Sequence, residues 1–307
     1  MKKEKDFSPI SFSHYRGHIR NEWITYGLFH WLAQLPDSLT RTGVTTIKDS
    51  KTTSLFRIAF SDQQSAISNE QSAFSDQPSA VSNYSAFSTP HSALCIKRYN
   101  YQHFFYSLKY IFRSSRAKKA WKKANVLLSL GILTPYPVAF LEKRSFLFLH
   151  HSLFVTTWID GAFSLDRFFE DNFGQALTGH FLKEKWQFIS EAARFIKTIH
   201  DFQIAHGDLK AKNILVKTSY ERHLFYLLDL DSLKINKSLS QAERIRDLAR
   251  LNASFLDTRI LSRSNRLRFL VNYINGGAKP DFAQRIFWNN IAAATENTLR
   301  KSKKRFM

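Results

Sequence analysis

The segment His206–Asn213 constrains this chain more than any other, because it places a turn, an acid, a cation and an amide directly before an apolar run. It reads His-Gly-Asp-Leu-Lys-Ala-Lys-Asn, so that Asp208, Lys210 and Asn213 stand at the spacing Asp-x-Lys-x-x-Asn. A second acid, Asp229, follows Asp208 by 21 residues, at the end of another apolar run. A strand that ends in an acid shortly after such a loop is what a metal-holding carboxylate requires.

This pattern predicts ATP-dependent phosphoryl transfer, a reaction that needs alignment and charge neutralisation more than covalent chemistry. Asp208 would accept or orient the proton of the attacking hydroxyl, and Lys210 would lie beside the transferring phosphate. Asn213 and Asp229 would hold the magnesium ions that bridge the phosphates. We also expect His206 to pack on, or hydrogen-bond to, the backbone near Asp229.

Composition limits the class of protein. The chain has 307 residues, of which 44% are hydrophobic, enough for a full core in one large domain or in two lobes. Its one cysteine, Cys95, excludes an internal disulfide and is typical of a reducing compartment. The charged start has no apolar run behind it, so we expect no signal peptide. The most apolar stretch, residues 146–155, is too short to span a bilayer.

The charge balance indicates the kind of partner. A formal net charge of +20 favours anionic partners such as a phosphorylated glycan, an anionic lipid or nucleic acid. Basic residues are dense in 109–123 and again in 259–304. Solvated surface lysines would explain the charge equally well. Because there is no zinc-ligand spacing and no nucleic-acid-reading motif, nucleic acid is not expected as a partner.

Residues 59–88 form a low-complexity repeat with a period of 14, in which Ala-Phe-Ser-Asp-Gln begins at Ala59 and recurs one period later. The units are short and polar, and a stable stack needs about three or more of them. We therefore interpret the segment of about 59–92 as a mobile insertion or an irregular loop. It separates two strand-like runs, Ser54–Ile58 and Ala93–Tyr99, that would otherwise form an antiparallel hairpin.

The other elements fall into a strand-rich half and a helical half. In order, they are a basic helix Arg113–Leu130 ended by Gly131, strands Val138–Leu141 and Phe146–Trp158 joined by a turn at residues 142–145, helix Phe181–His200, strands Ile214–Lys217 and Leu224–Leu228 around a turn near Tyr220, and helices from Gln241 onward. The apolar side of the basic helix is expected to carry Trp121, Leu127, Leu128 and Leu130. This order predicts an α+β, bilobal, protein-kinase-like fold. A small antiparallel-sheet N-lobe would span residues 1–158 and a helical C-lobe residues 159–307, with a hinge near Trp158–Gly161 and ATP between the lobes.

Lys97 is the strand lysine best placed to contact the α- and β-phosphates of ATP. In an alternating strand, Leu94 and Ile96 face one side while Cys95 and Lys97 face the other. That alternation would place Cys95 near the nucleotide. A solvated lysine on an edge strand is the alternative interpretation.

Together these segments resemble the lipopolysaccharide kinase family of Kdo and WaaP-type enzymes, over about residues 90 to 275. Besides the loop His206–Val216, four segments carry the resemblance: Arg116–Trp121, Leu130–Ala139 with its Gly-Ile-Leu-Thr-Pro-Tyr-Pro core, Leu228–Lys234, and Arg246–Leu251 with Asp-Leu-Ala-Arg-Leu. The resemblance implies transfer of the γ-phosphate of ATP, with Mg²⁺, to a hydroxyl of Kdo or heptose in the lipopolysaccharide inner core. The lipid A–core acceptor would lie in the inner leaflet, so the enzyme would act as a peripheral protein at the cytoplasmic, anionic face of the inner membrane.

The chain departs from the usual kinase pattern at the lysine's partner and at the phosphate loop. Kinases pair the strand lysine with a glutamate of the neighbouring helix, but Lys119–Lys123 of the basic helix contain no acid. Lys97 would pair with Asp229 or with Glu142 instead. There is no Gly-rich loop, so the turn at residues 48–51 would cover the phosphates.

Asp231 stands where kinases have a glycine after the metal-holding acid, and it would be either a third polar ligand or a turn residue. Two other functions remain open: an atypical kinase of a protein or small molecule, and a pseudokinase scaffold. The missing helix glutamate favours the scaffold. The joint retention of Lys97, Asp208, Lys210, Asn213 and Asp229 argues against it. No sequence feature indicates an oligomeric state.

Overall fold

The computed structural model describes residues 6–12, 14–24, 32, 44–50, 52–59, 93–101, 110, 113–146, 148–175, 179–220, 222–255, 261–275 and 282–303. All but the first residue of the repeat segment of about 59–92 lies outside the described residues. Two compact units divide the chain, the first within residues 1–122 and 135–160 and the second within 123–134 and 161–307. The proposed division into lobes at residues 158 and 159 stays a prediction.

The first unit is built on one seven-stranded sheet in the order β1-β2-β6-β7-β5-β4-β3. Its strands are β1 (Phe7–Phe12), β2 (Tyr15–Arg20), β3 (Val44–Lys48), β4 (Thr53–Ala59), β5 (Ala93–Asn100), β6 (Pro137–Ser145) and β7 (Phe148–Thr157). All neighbouring strands pair antiparallel. The predicted hairpin across the repeat is confirmed, because β4 pairs with β5 and Leu55 lies opposite Lys97.

The turn between β6 and β7 was predicted too early. Residues 142–145 remain paired in the ladder, with a register shift after Lys143, and the chain reverses near Phe146. Phe146 is 90% exposed and has a φ of 55°. A large aromatic residue in the left-handed region is uncommon, which is why the apolar pattern assigned Phe146 to the following strand.

Helix α1 (Arg116–Ser129) begins three residues later than predicted. Its buried stripe consists of three alanines and one leucine, Ala117, Ala120, Ala124 and Leu127, whereas Trp121, Leu128 and Leu130 are only half-buried. The predicted apolar side was therefore only partly right. Small residues at this spacing allow close packing, which a hydrophobicity pattern does not reveal.

The end of α1 was predicted well. Gly131 has a φ of 74°, the N–H of Ile132 donates to the carbonyl of Leu127 at 2.9 Å, and the N–H of Gly131 donates to that of Leu128 at 3.0 Å. These bonds form a Schellman motif, which terminates a helix at glycine.

The second unit contains two small sheets and five further helices among the described residues. The sheets are β11-β10-β8 and β12-β9, formed by β8 (Phe163–Ser164), β9 (Ile204–Ala205), β10 (Ile214–Ser219), β11 (Arg222–Leu227) and β12 (Lys234–Ile235). The helices are α2 (Leu165–Phe173), α3 (His180–Asp201), α4 (Gln241–Ala253), α5 (Arg263–Asn275) and α6 (Phe282–Lys303). The hairpin turn near Tyr220 and the helix up to His200 are confirmed.

Helix α4 begins at an N-terminal cap that its own sequence provides. Ser240 and Glu243 form a reciprocal capping box at the start of α4, which satisfies otherwise unpaired N–H groups. None of the helices within the described residues combines the length and the apolar character that crossing a bilayer requires.

Candidate active site

The acid-bearing loop lies between β9 and β10, and its last three residues, Ala211–Asn213, form a 3₁₀ turn. The side-chain Nδ2 of Asn213 donates to the carbonyl of Asp208 at 2.9 Å and closes the loop on itself. The carbonyl of Asn213 accepts the N–H of Leu228 at 2.8 Å. The loop is thus hydrogen-bonded to the segment immediately before Asp229. These bonds fix Asp208 and Asn213 relative to Leu228 and Asp229, and we call this arrangement the bonded frame.

His206 supports the bonded frame from its buried side. It is fully buried, its Nε2 lies 2.8 Å from the carbonyl of Leu228, and its Nδ1 accepts the N–H of Asp208 at 3.3 Å. The bond to Leu228 confirms the expected contact between His206 and the backbone near Asp229. Burial lowers the pKa of His206 despite the nearby carboxylates. A neutral ring with hydrogen on Nε2 satisfies both bonds.

Asp247 of α4 is a residue of the candidate site that the sequence analysis did not single out. Its Oδ2 accepts the N–H of His206 at 2.6 Å and its Oδ1 accepts the N–H of Gly207 at 2.9 Å. The residue is 1% exposed. Burial alone would raise its pKa, but the interaction with His200 and the two backbone bonds outweigh burial and lower it. The available signal was an acid beside apolar residues in Asp-Leu-Ala-Arg-Leu, a position that demands a buried partner.

A polar chain continues behind Asp247 to helix α5. His200 Nε2 lies 3.6 Å from Asp247 Oδ2, and His200 Nδ1 lies 2.7 Å from the hydroxyl of Tyr273. Arg244 donates to the same hydroxyl at 3.4 Å and to the carbonyl of His200 at 3.1 Å. The buried carboxylate is therefore backed by a polar chain from three helices, in which His200 is the member that lies next to it.

Gly207 is the one position in the loop where only glycine fits. Its φ is 80°, and an added Cβ would lie 2.8 Å from the carbonyl oxygen of Ser232. Both the dihedral and the close backbone approach exclude an ordinary side chain.

Asp208 and Lys210 lie next to each other on the loop, and their predicted catalytic roles stay predictions. Lys210 Nζ lies 3.0 Å from Asp208 Oδ2, and their side chains are 52% and 33% exposed. The acid and the cation are therefore adjacent and open to a substrate, and the exposed pair adds little stability.

Asp229 is exposed, and its φ is 53°. Asp tolerates this left-handed conformation better than most residues. Asp231, the alternative third ligand, lies in the turn that follows.

Lys97 lies in the first unit, on β5. Leu94 and Ile96 are fully buried, whereas Cys95 and Lys97 are half-buried, so the predicted alternation is confirmed. Lys97 Nζ lies 5.2 Å from the centroid of the Tyr99 ring. Burial raises the pKa of Cys95 to about 11, against smaller lowering effects of Thr156 and Lys97.

Glu142, one predicted partner of Lys97, forms an ion pair with Arg144 at 3.0 Å. In the turn after β3, Asp49 accepts a hydrogen bond from the Ser54 hydroxyl at 2.6 Å. The partner of Lys97 and the phosphate-covering role of residues 48–51 stay predictions.

The strand-and-helix architecture and the acid-bearing loop define the protein-kinase-like class, and the predicted α+β fold is confirmed. The model of the lipopolysaccharide kinase (Kdo/WaaP) family matches residues 87–273. The chain belongs to this family.

Individual relatives agree with that membership. The 3-deoxy-D-manno-octulosonic acid kinase of Actinobacillus succinogenes is 28% identical over 151 residues, covering 48% of this chain and 58% of the relative. The kinase of the same description from Mannheimia succiniciproducens is 29% identical over 152 residues, and that of Haemophilus influenzae is 27% identical over 151 residues, with the same coverage. The chain thus spans less than two thirds of the length of these relatives.

A solved structure described as WaaP in complex with acyl carrier protein has the same fold. The likeness has a TM-score of 0.54 at 19% identity and covers 86% of this chain and 89% of the other.

Proposed function

We propose that this protein is an ATP-dependent kinase that phosphorylates a sugar hydroxyl, of Kdo or heptose, in the inner core of lipopolysaccharide. The observation that carries the proposal is the bonded frame of Asp208, Asn213 and Leu228–Asp229. A phosphotransferase needs those three polar side chains in fixed relation, and a non-catalytic scaffold would not.

Asp208 acts on the acceptor hydroxyl. Its Oδ2 is engaged by Lys210, and its side chain is open enough for a hydroxyl to reach it. The acceptor donates its hydrogen to the carboxylate, which orients the oxygen for attack on the γ-phosphate. Lys210 neutralises Asp208 and lies beside the phosphate as charge develops on it.

Asn213 and Asp229 fit a magnesium site in their donor chemistry. Because Nδ2 of Asn213 is bonded to the Asp208 carbonyl, its Oδ1 would be left as a ligand, together with the exposed carboxylate of Asp229. No group of three or more His, Cys, Asp or Glu in the described part of the chain could hold a metal by itself. Mg²⁺ is usually bound by one or two carboxylates together with substrate phosphates. When bound, the ion would neutralise the phosphate oxygens.

Lys97 would contact the α- and β-phosphates of the nucleotide. Its support is its half-buried place on an interior strand of the seven-stranded sheet, between β4 and β7. Because β5 is paired on both sides, Lys97 is not on an edge strand. The alternative interpretation of a solvated edge lysine is thereby weakened.

The relatives named as 3-deoxy-D-manno-octulosonic acid kinases make Kdo the first acceptor to test and heptose the second. The acceptor is an acidic glycolipid, which agrees with the net charge of +20. We further propose that the protein binds the anionic cytoplasmic face of the inner membrane as a peripheral protein. Exposed Trp186, whose ring lies 4.2 Å from the Arg268 guanidinium, is an amphipathic group suited to such a surface.

Mass spectrometry of lipid A–core glycolipids incubated with the protein, ATP and Mg²⁺ tests the function. We expect the mass of one phosphate on the Kdo or heptose residue, and tandem fragmentation identifies which. Asp208→Asn should lower the rate by at least about 10³-fold, in line with removal of a central catalytic group. Phosphate on protein or on small aminoglycosides, and none on the glycolipid, would contradict the proposal.

Lys210 offers a matched comparison, because Lys212 is an exposed lysine two residues along the same loop. Lys210→Met should lower kcat about 10²-fold through loss of charge at the transferring phosphate, whereas Lys212→Met should not change it. Equal effects would show that only general charge matters.

Sedimentation with vesicles that contain anionic lipid tests the membrane proposal, and binding to neutral vesicles alone would contradict it.

A further inference from the structure

A lysine of α1 holds the backbone that follows the metal-binding carboxylate. Lys123 Nζ donates to the carbonyl of Leu230 at 2.9 Å and to that of Asp231 at 2.8 Å. These contacts join positions 107 and 108 residues apart in the sequence. Lys123 and the segment it binds belong to the same compact unit. The helix that lacks the expected glutamate thus contributes a cation to the site.

The two carbonyls belong to the turn that directly follows Asp229. Asp229 enters the turn in the left-handed region, with a φ of 53°, a conformation that Asp tolerates better than most residues but that still benefits from support by its surroundings. Leu230 is 4% exposed, and its carbonyl also accepts the N–H of Leu233 at 3.2 Å. An ammonium group carries three donors and no acceptor, so it can bond both carbonyls at once.

The segment after α1 holds the other side of Asp229. The N–H of Leu227 donates to the carbonyl of Leu133 at 2.9 Å, and the Thr134 hydroxyl donates to the carbonyl of Leu227 at 2.8 Å. The polypeptide is therefore fastened two residues before Asp229 and again at the two residues after it. All of these partners come from the single stretch 123–134.

We propose that Lys123 is a positioning residue, which presents the Asp229 carboxylate to the divalent cation by fixing the turn at Leu230 and Asp231. The inference rests on the proposed role of Asp229 in metal binding. Lys123 itself contacts backbone carbonyls and acts on the metal only through Asp229. Groups that orient a metal ligand in this way typically change metal affinity by about 10–100-fold when they are removed.

The test compares Lys123→Met with Lys122→Met, because Lys122 is an exposed lysine one residue earlier on the same helix. Binding of Mn²⁺ in the presence of a non-hydrolysable ATP analogue is measured by electron paramagnetic resonance. Hydrogen exchange of the Leu230 to Leu233 amides is measured on the same proteins. We expect Lys123→Met to weaken Mn²⁺ binding about tenfold and to speed exchange at these amides, and Lys122→Met to do neither.

Three further variants keep the test decisive. Lys123→Arg restores two donors and should recover most of the Mn²⁺ affinity, which a purely structural loss would not predict; Lys123→Gln serves if the methionine variant does not fold. Asp229→Asn is the benchmark. If it weakens Mn²⁺ binding and Lys123→Met does not, the positioning role is wrong and the proposed function stands. If Asp229→Asn binds Mn²⁺ like the wild type, the proposed metal site itself is wrong.

Discussion

Replacing Asp247 tests whether its buried carboxylate on α4 shapes the acid-bearing loop His206–Asn213. Its two oxygens accept the N–H groups of His206 and Gly207 at 2.6 and 2.9 Å. Asp247→Asn conserves the volume but offers one acceptor instead of two, so one backbone N–H then faces the amide NH₂. A hydrogen bond to a charged group is worth about 1.5–3 kcal/mol, and an unsatisfied buried donor costs about 1–3 kcal/mol.

We therefore expect Asp247→Asn to lower the free energy of unfolding by about 2–3 kcal/mol, and Asp247→Ala to lower it by about 3–5 kcal/mol, because both donors and the His200 contact lose their partner. Urea unfolding at neutral pH followed by circular dichroism measures this loss. The backbone amides of His206 and Gly207 should also exchange hydrogen faster in both variants. Since Asp208 is the next residue after Gly207, kcat should fall about 10²-fold, as it does when a reacting group moves by about 1 Å.

Asp171→Asn on α2 is the matched control, since its side chain is 54% exposed and the ion pair described for it is with Arg167, which is 67% exposed. It should change stability by less than about 1 kcal/mol. The pH dependence gives a second check. The pKa of Asp247 is lowered on folding, so its stabilisation is present above the unfolded pKa of about 4 and is lost as the pH falls. The difference in the free energy of unfolding between the wild type and Asp247→Asn should therefore become smaller below about pH 4. An asparagine variant as stable and as active as the wild type would refute the reasoning.

Three other perturbations have definite expectations. Gly207→Ala places a Cβ 2.8 Å from the Ser232 carbonyl oxygen at a φ of 80°, so it should cost about 1–3 kcal/mol and lower kcat; normal thermal stability with full activity would contradict this. Cys95 should react with iodoacetamide far more slowly than free cysteine at pH 8, because burial raises its pKa to about 11 and the thiolate is the nucleophile; rapid labelling of the folded protein would exclude the raised pKa. Burial lowers the pKa of His151 to about 3, so stability should fall by up to about 1.4 kcal/mol per pH unit below the unfolded pKa of about 6.5. Urea unfolding at pH 7 and pH 5 should show that the free energy of unfolding falls less between these two pH values in His151→Asn than in the wild type. An equal fall in the two proteins would exclude His151 as its source.

Much of the fold could be predicted because it depends on local patterns of apolar residues and turns. The helix up to His200 has apolar residues at steps of three and four, and the Ile214–Leu228 hairpin has two strand-like runs around a turn. Both were predicted to within two residues at each end. The turn at Phe146 and the alanine stripe of α1 were missed because they depend on packing rather than on hydrophobic content.

The sequence by itself determined the chemical inventory of the site: Asp208, Lys210 and Asn213 at one spacing, and Asp229 after the next hairpin. These residues are close in sequence, so turn and strand geometry alone brings them together. Only the tertiary structure decided what holds them. Asp247 reaches the loop from 40 residues away and Lys123 reaches the turn after Asp229 from 107 residues away. Both bind backbone groups, which every residue carries, and a sequence does not mark which N–H or carbonyl a distant charge will meet. That pairing follows from burial, because a buried charge and an unpaired backbone group are each costly until they find one another.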